Sequence, residues 1–185
     1  MSPGRPPRAI TIARVQAIEI ALNWRWMPVL ALCTWLLAQN VLPARFPTWE
    51  LGTTWLTSAA VVLAGELALL LHELSHVLVA RGRGRDATRI VFHGFLAETI
   101  VTQRPRPARN EALIALVGPL TNLALAGLIE AVRLALATDG PLDVGLLLLV
   151  LGNLAMTVMS LLPIGASDGQ RALSALRRVS NSSCQ

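Results

Sequence analysis

The stretch AAVVLAGELALLLHELSHVLVA, residues 59–80, decides how the chain is read. It is apolar enough to cross a bilayer, for which about 20 helical residues suffice. Yet it carries Glu66, His72, Glu73 and His76, and ionisable side chains at that depth are costly unless paired, hydrated or metal-bound. On a helix His72 and His76 stand one turn apart on one face, so two imidazole nitrogens can share an ion. Glu73 lies about 60° round the helix from His76, close enough to serve a water at the metal without being a ligand. With this composition, H-E-x-x-H is expected by chance about 0.002 times, and two of the three histidines are spent on it. A plain helix-packing role for these three residues leaves their cost in lipid unexplained.

The bulk composition agrees with a membrane setting. Of 185 residues, 54% are hydrophobic and 15% charged, with a mean hydropathy of +0.56; soluble domains carry about 25% charged residues. The length allows one domain or one compact bundle. The net charge of +5 comes from sixteen arginines and no lysine, scattered in short stretches between apolar runs. That pattern fits membrane topology and excludes a nucleic-acid role. Cys33 and Cys184 make no disulfide framework. The first long apolar run lacks a small-residue cleavage pattern and is read as a retained span, not a signal peptide.

Outward from the central stretch, spans are expected at about 27–42, 54–80, 111–137 and 144–162. Trp24 and Trp26 on one side, and Trp49 and Trp55 on the other, suit interfacial belts. Pro28 is tolerated at a helix start. Residues 1–9 read as disordered. Residues 10–23 are too polar for a span, with Arg14, Gln16 and Glu19 among apolar residues, and fit a surface-lying helix or short strands. The segment TRIVFHGFLAETIV, residues 88–101, is β-branched and aromatic and reads as strand or hairpin. The expected architecture is an α-helical membrane protein of about four transmembrane helices with a small membrane-associated β segment. Its core is 10–168, followed by a cytoplasmic tail, 169–185, with a short helical pattern and then polar disorder.

Arginine placement orients the bundle. Segments 1–25, 81–109 and 171–178 hold most of the arginines, whereas the loop near 43–53 has only Arg45 and that near 138–143 has Asp139 and Asp143. The positive-inside rule then puts both termini and residues 81–109 in the cytoplasm.

A catalytic zinc keeps three protein ligands and an open position. The acidic residue near a span end in a suitable setting is Asp168, in LLPIGASDGQR, residues 161–171. Pro163 and Gly165 break the fourth helix and can turn its carboxylate inward. Taken alone Asp168 reads as an ordinary turn aspartate; its pairing with HELSH reverses that. Glu66, seven residues before Glu73, either lines a water path or gate or is paired with a polar neighbour. His93 reads as a plain interfacial residue.

With these motifs the chain resembles the site-2 protease family of intramembrane zinc metalloproteases, in its compact bacterial form without PDZ or CBS domains. The resemblance covers about residues 10–178 and rests on HELSH at 72–76, IVFHGFLAE at 90–98 followed by a basic stretch, GPLTN at 118–122 and LLPIGASDGQR. It implies zinc on His72, His76 and Asp168, with Glu73 as catalytic base. It also implies Asn122 facing the site, as first candidate for an oxyanion donor with Ser160 second, and a sheet-forming segment at 88–101. The departures are Ser160 where the family has asparagine, Ala166-Ser167-Asp168-Gly169-Gln170 where it has P-L-D-G-G, and Gly94-Phe95 in place of Gly-Gly.

The function so implied is hydrolysis of a peptide bond of a transmembrane protein substrate near the cytoplasmic side, in contact with membrane lipid. Strand addition onto an edge of 88–101 would satisfy the unwound substrate backbone. The departures motivate an alternative, a non-catalytic membrane adaptor of the same fold that binds a partner helix. A metal transporter would need ionisable residues through several spans, and spans one, three and four are nearly free of them.

Overall fold

The computed structural model describes residues 9–15, 18–24, 26–84, 87–92, 97–101 and 108–182. His93, Gly94-Phe95 and residues 1–8, on which expectations were placed above, lie outside them.

Among the described residues, four helical segments are long and apolar enough to cross a membrane: Trp26–Arg45, Leu51–Gly82, Ala108–Leu136 and Pro141–Leu161. The protein is an integral membrane protein. The first span is composite: α1 (Trp26–Leu36) passes through one wide turn at Leu37–Val41 into the short α2 (Leu42–Arg45). The others are α3 (Leu51–Gly82), α4 (Ala108–Leu136) and α5 (Pro141–Leu161). Each expected span is found, with ends shifted by one to three residues; Pro28 falls inside the first turn of α1 rather than opening it. Leu120, Leu128, Leu134 and Val158 are all more than half exposed, which suits a lipid-facing surface and no aqueous one.

The interior is built differently. Lipid tails are as apolar as leucine, so helices in a bilayer associate by close packing of small residues and by internal hydrogen bonds. On α4 the buried residues are Ala112, Ala115, Gly118, Pro119, Asn122 and Ala126, a stripe of small side chains with one amide in it. Hydroxyls inside the helices bond back to their own turns: Thr54 to Leu51, Ser58 to Thr54, Thr121 to Val117 and Thr157 to Asn153.

Ahead of the first span stand two strands, β1 (Ala9–Val15) and β2 (Ile18–Asn23), so Ala9 is ordered as strand. The 88–101 segment is an antiparallel pair, β3 (Ala87–Phe92) and β4 (Ala97–Val101). The two hairpins join through parallel pairing of β2 with β3, Ile20 opposite Ile90, into one sheet of order β1-β2-β3-β4. Two transmembrane segments thus lie between adjacent strands, and both hairpins sit at the same end of the bundle. Ile18, Ile20 and Ile90 pack on Leu69 and Val77 of α3, with Trp26, Leu70 and Leu74 around them. The sheet therefore lies beside the part of α3 that carries His72 and His76.

The chain after the fourth span is a helix, α6 (Asp168–Ser182), with Ala172 and Ala175 buried. It packs on α4, and Arg178 bonds Glu111 at 2.8 Å. The core boundary expected at 168 falls on its first residue.

Candidate metal centre

HELSH lies ten to six residues before the end of α3, in continuous helix, and the i, i+4 spacing does what the periodicity implies: His72 and His76 are both buried, with Nε2 atoms 3.2 Å apart. Asp168 comes from much later in the chain. Residues 162–167 link α5 to α6, and α6 starts with the Asp168 carboxylate beside the pair. Its Oδ2 lies 3.3 Å from His72 Nε2 and 3.3 Å from His76 Nε2. The three ligand atoms make an almost equilateral triangle.

That triangle is the fit test. Zinc bonds of about 2.0–2.1 Å in a tetrahedron require ligand atoms about 3.3 Å apart. Two imidazoles and one carboxylate are also a donor set of catalytic zinc sites. Glu73, although adjacent in sequence, is not part of the close cluster of His72, His76 and Asp168.

The outer contacts hold each ligand. His76 Nδ1 lies 2.7 Å from the Ile114 carbonyl, so Nδ1–H donates to it and Nε2 carries the free lone pair. His72 Nδ1 lies 3.0 Å from the Asn122 amide nitrogen. Burial by itself raises the Asp168 carboxyl, but hydrogen bonds from His72 and His76 and their charge outweigh it and hold the group well below the usual carboxylate range.

Two glycines let the pieces meet. A Cβ on Gly118 would lie 2.3 Å from His76 Nε2 and 2.5 Å from His72 Nε2. A Cβ on Gly169 would lie 1.9 Å from the Leu161 carbonyl oxygen, because α6 starts directly against the end of α5. Neither site tolerates a side chain without displacement.

The departures at 166–170 have a structural reason. Ser167 caps α6: its hydroxyl accepts the Gln170 N–H at 3.2 Å and donates to the Leu162 carbonyl. Ser-x-x-Gln is the pattern of a capping box, legible in the sequence but not used there. It fixes the first turn around Asp168.

Other candidates are placed differently from expectation. Asn122 is fully buried and engages the Nδ1 edge of His72, opposite the nitrogen that faces Asp168. That location suits orientation of the ring and not donation to an oxyanion. The Ser160 hydroxyl bonds back to the Thr157 carbonyl. The Trp26 indole N–H donates to Glu66 at 3.0 Å, across the α1–α3 contact. Glu66 is therefore paired with a polar neighbour.

No family model matches the chain. It is 29% identical over 170 residues to Rip3 of Mycobacterium tuberculosis, named as a candidate zinc metalloprotease; this is 90% of the chain and 43% of that protein. It is 28% identical over 169 residues to sll0528 of Synechocystis, named likewise, covering 90% of the chain and 44% of that protein. The chain thus spans less than half the length of these curated relatives. Among solved structures, the site-2 protease of Methanocaldococcus jannaschii aligns with a TM-score of 0.64 at 21% identity, over 91% of this chain and 71% of that one. In sequence the chain is thus similar to these two named zinc metalloproteases, and in fold to a site-2 protease.

Proposed function

We propose that the protein is an intramembrane zinc metalloprotease that hydrolyses a peptide bond of a transmembrane protein near the cytoplasmic side of the membrane. The single observation that carries this is the 3.2–3.3 Å triangle of His72, His76 and Asp168, with a glutamate next in sequence to His72. His72, His76 and Asp168 would hold the ion. Bound there, zinc supplies a water acidic enough to ionise near pH 7 and a positive charge against a developing oxyanion.

The chain's own residues do the rest. Glu73 takes the proton of the attacking water and delivers it to the leaving amine nitrogen. Ile114 and Asn122 hold the two imidazoles in orientation. A substrate helix has to unwind to expose a peptide bond, and β4, with a neighbour on one side only among the described residues, offers an edge for the freed backbone. Arginines gathered at 81–109 and 171–178 support a cytoplasmic position for that end of a bacterial cytoplasmic membrane protein.

The adaptor alternative was motivated by the altered residues around Asp168. The Ser167–Gln170 cap weakens that motive, because it supports Asp168 by other means.

The test is Glu73→Gln beside Asp168→Ala in the purified, detergent-solubilised chain. Glu73→Gln is expected to retain stoichiometric zinc and to lose cleavage of a co-expressed membrane substrate; Asp168→Ala loses both. Undiminished cleavage by Glu73→Gln sinks the proposal.

A further inference from the structure

Two buried carboxamides in the bundle are half satisfied. Asn122 on α4 is 0% exposed and Asn153 on α5 is 4% exposed, and among the described residues the Oδ1 atom of each has no hydrogen-bond partner. Asn153 spends its NH2 on the Leu149 carbonyl of its own helix. An orphaned carbonyl oxygen in a membrane interior is expensive, and two at one place require an account.

Their places are related. Thr157 of α5 reaches the Pro119 carbonyl of α4 at 3.4 Å, which fixes the register of the two helices. The helices are joined by a loop of only four residues, 137–140, and so run antiparallel. Three residues forward on α4, from Pro119 to Asn122, rise about 4.5 Å; four residues back on α5, from Thr157 to Asn153, rise about 6 Å in the same direction. The two amides stand at one level. At 100° per residue, Asn153 lies about 40° from Thr157 and so on the face of α5 that meets α4. Asn122 lies about 40° from Gly118, which abuts the histidines, and about 60° from Pro119, which meets α5. It occupies the sector between the two neighbours.

The His72 contact has a chemical requirement. To give its Nε2 lone pair to a metal, the ring must carry its proton on Nδ1. Nδ1–H then needs an acceptor, whereas the Asn122 end nearest to it is the NH2. A half-turn of the Asn122 carboxamide about Cβ–Cγ exchanges its ends. Oδ1 then accepts from His72 Nδ1–H, and the NH2 turns toward α5, where the unpartnered Asn153 Oδ1 is an acceptor. One rotation supplies both missing partners.

We propose that Asn153 is a positioning residue, the far end of an Asn153–Asn122–His72 relay that selects the metal-binding tautomer of His72. This rests on His72 being a zinc ligand. Asn153 touches neither metal nor substrate; it holds the Asn122 amide in the orientation that accepts from the imidazole.

The test is zinc affinity of the full-length chain in detergent by chelator competition, in four forms: parent, Asn153→Leu, Asn122→Asp and the double variant. Loss of an outer-shell partner costs about 10–100-fold in metal affinity, so Asn153→Leu is expected to bind zinc about tenfold more weakly. An aspartate at 122 accepts from Nδ1–H whichever way it turns. In that background Asn153→Leu is therefore expected to change affinity less than twofold. Ring 15N shifts of the metal-free protein should report Nδ1–H of His72 in the parent and a tautomer mixture in Asn153→Leu. Equal losses in both backgrounds, or no loss in either, overturn the relay while leaving the zinc site standing. A parent protein that binds no zinc overturns both.

Discussion

Gly118 lies so close to His76 that a Cβ there would come within 2.3 Å of Nε2, a separation real atoms do not adopt. The small residue on α4 thus keeps open the space beside the histidine pair. Alanine is the better helix former by about 1 kcal/mol, so Gly118→Ala has opposite effects on helix and site. The expected outcome is an intact bundle, with thermal stability of the metal-free protein held or lowered slightly, and zinc affinity reduced by about one to two orders of magnitude, from an overpacking cost of about 1–3 kcal/mol. Chelator competition with a parallel melting curve checks it. Normal zinc binding would mean that the space plays no part in metal uptake.

The Ser167 cap makes a second, smaller prediction. Removing an N-cap hydroxyl costs about 1 kcal/mol, so Ser167→Ala should weaken zinc about fivefold by loosening the first turn around Asp168. Ser167→Asp retains a cap acceptor and should stay close to the parent. Equal affinity of Ser167→Ala and the parent would disconnect the cap from the site.

How α6 is held on α4 separates two contributions. Arg178 and Glu111 form an exposed pair, and such pairs contribute about 0–1 kcal/mol. Arg178→Ala should leave zinc content unchanged. Ala175 is 0% exposed in the α6 packing, and Ala175→Leu should push the helix outward and lower zinc affinity at least tenfold, in keeping with an overpacking cost of about 1–3 kcal/mol. The reverse ranking would identify the ion pair as the attachment.

Acid should release the metal through the imidazoles and not through Asp168. The carboxyl is held well below the usual carboxylate range, so it stays ionised through mildly acid solution. By linkage, its contribution to the metal-free fold is present above about pH 4, the unfolded carboxylate value, and is lost as pH falls through the depressed folded value. An imidazole binds metal only in its neutral form, so in acid solution binding has to displace a proton from each ring. Log affinity against pH should therefore approach a slope of two. Asp168→Asn should lower affinity throughout without altering that slope; a slope of three in the parent would show that Asp168 titrates with its partners.

The histidine pair and the four spans were legible because their signals are local. One is a four-residue spacing on a helix, the others are apolar runs of membrane length. Asp168 was reachable by elimination, since few acidic residues stand near a span end. Asn153 was not, because nothing in GNLAM distinguishes an interior amide from any other polar residue in a span; its meaning depends on Thr157 meeting Pro119 on another helix. Gly118 was seen only as part of GPLTN, because a close approach belongs to two helices and not to one sequence. The partner of Trp26 was hidden for the same reason: tryptophan at a span end suggests an interface, and only the packing of α3 brings Glu66 within reach of its indole.

The parallel pairing of Ile20 with Ile90 also has a consequence for biogenesis. The early hairpin can find its neighbour only after translation has passed residue 92 and two hydrophobic segments have entered the bilayer. Until then the β3-facing rim of β2 is without its partner, and the half of α3 that carries His72 and His76 is without its lateral support. Assembly of the bundle is thereby tied to completed insertion of its first helical hairpin, so a polypeptide stalled before that point would be expected to lack the completed sheet.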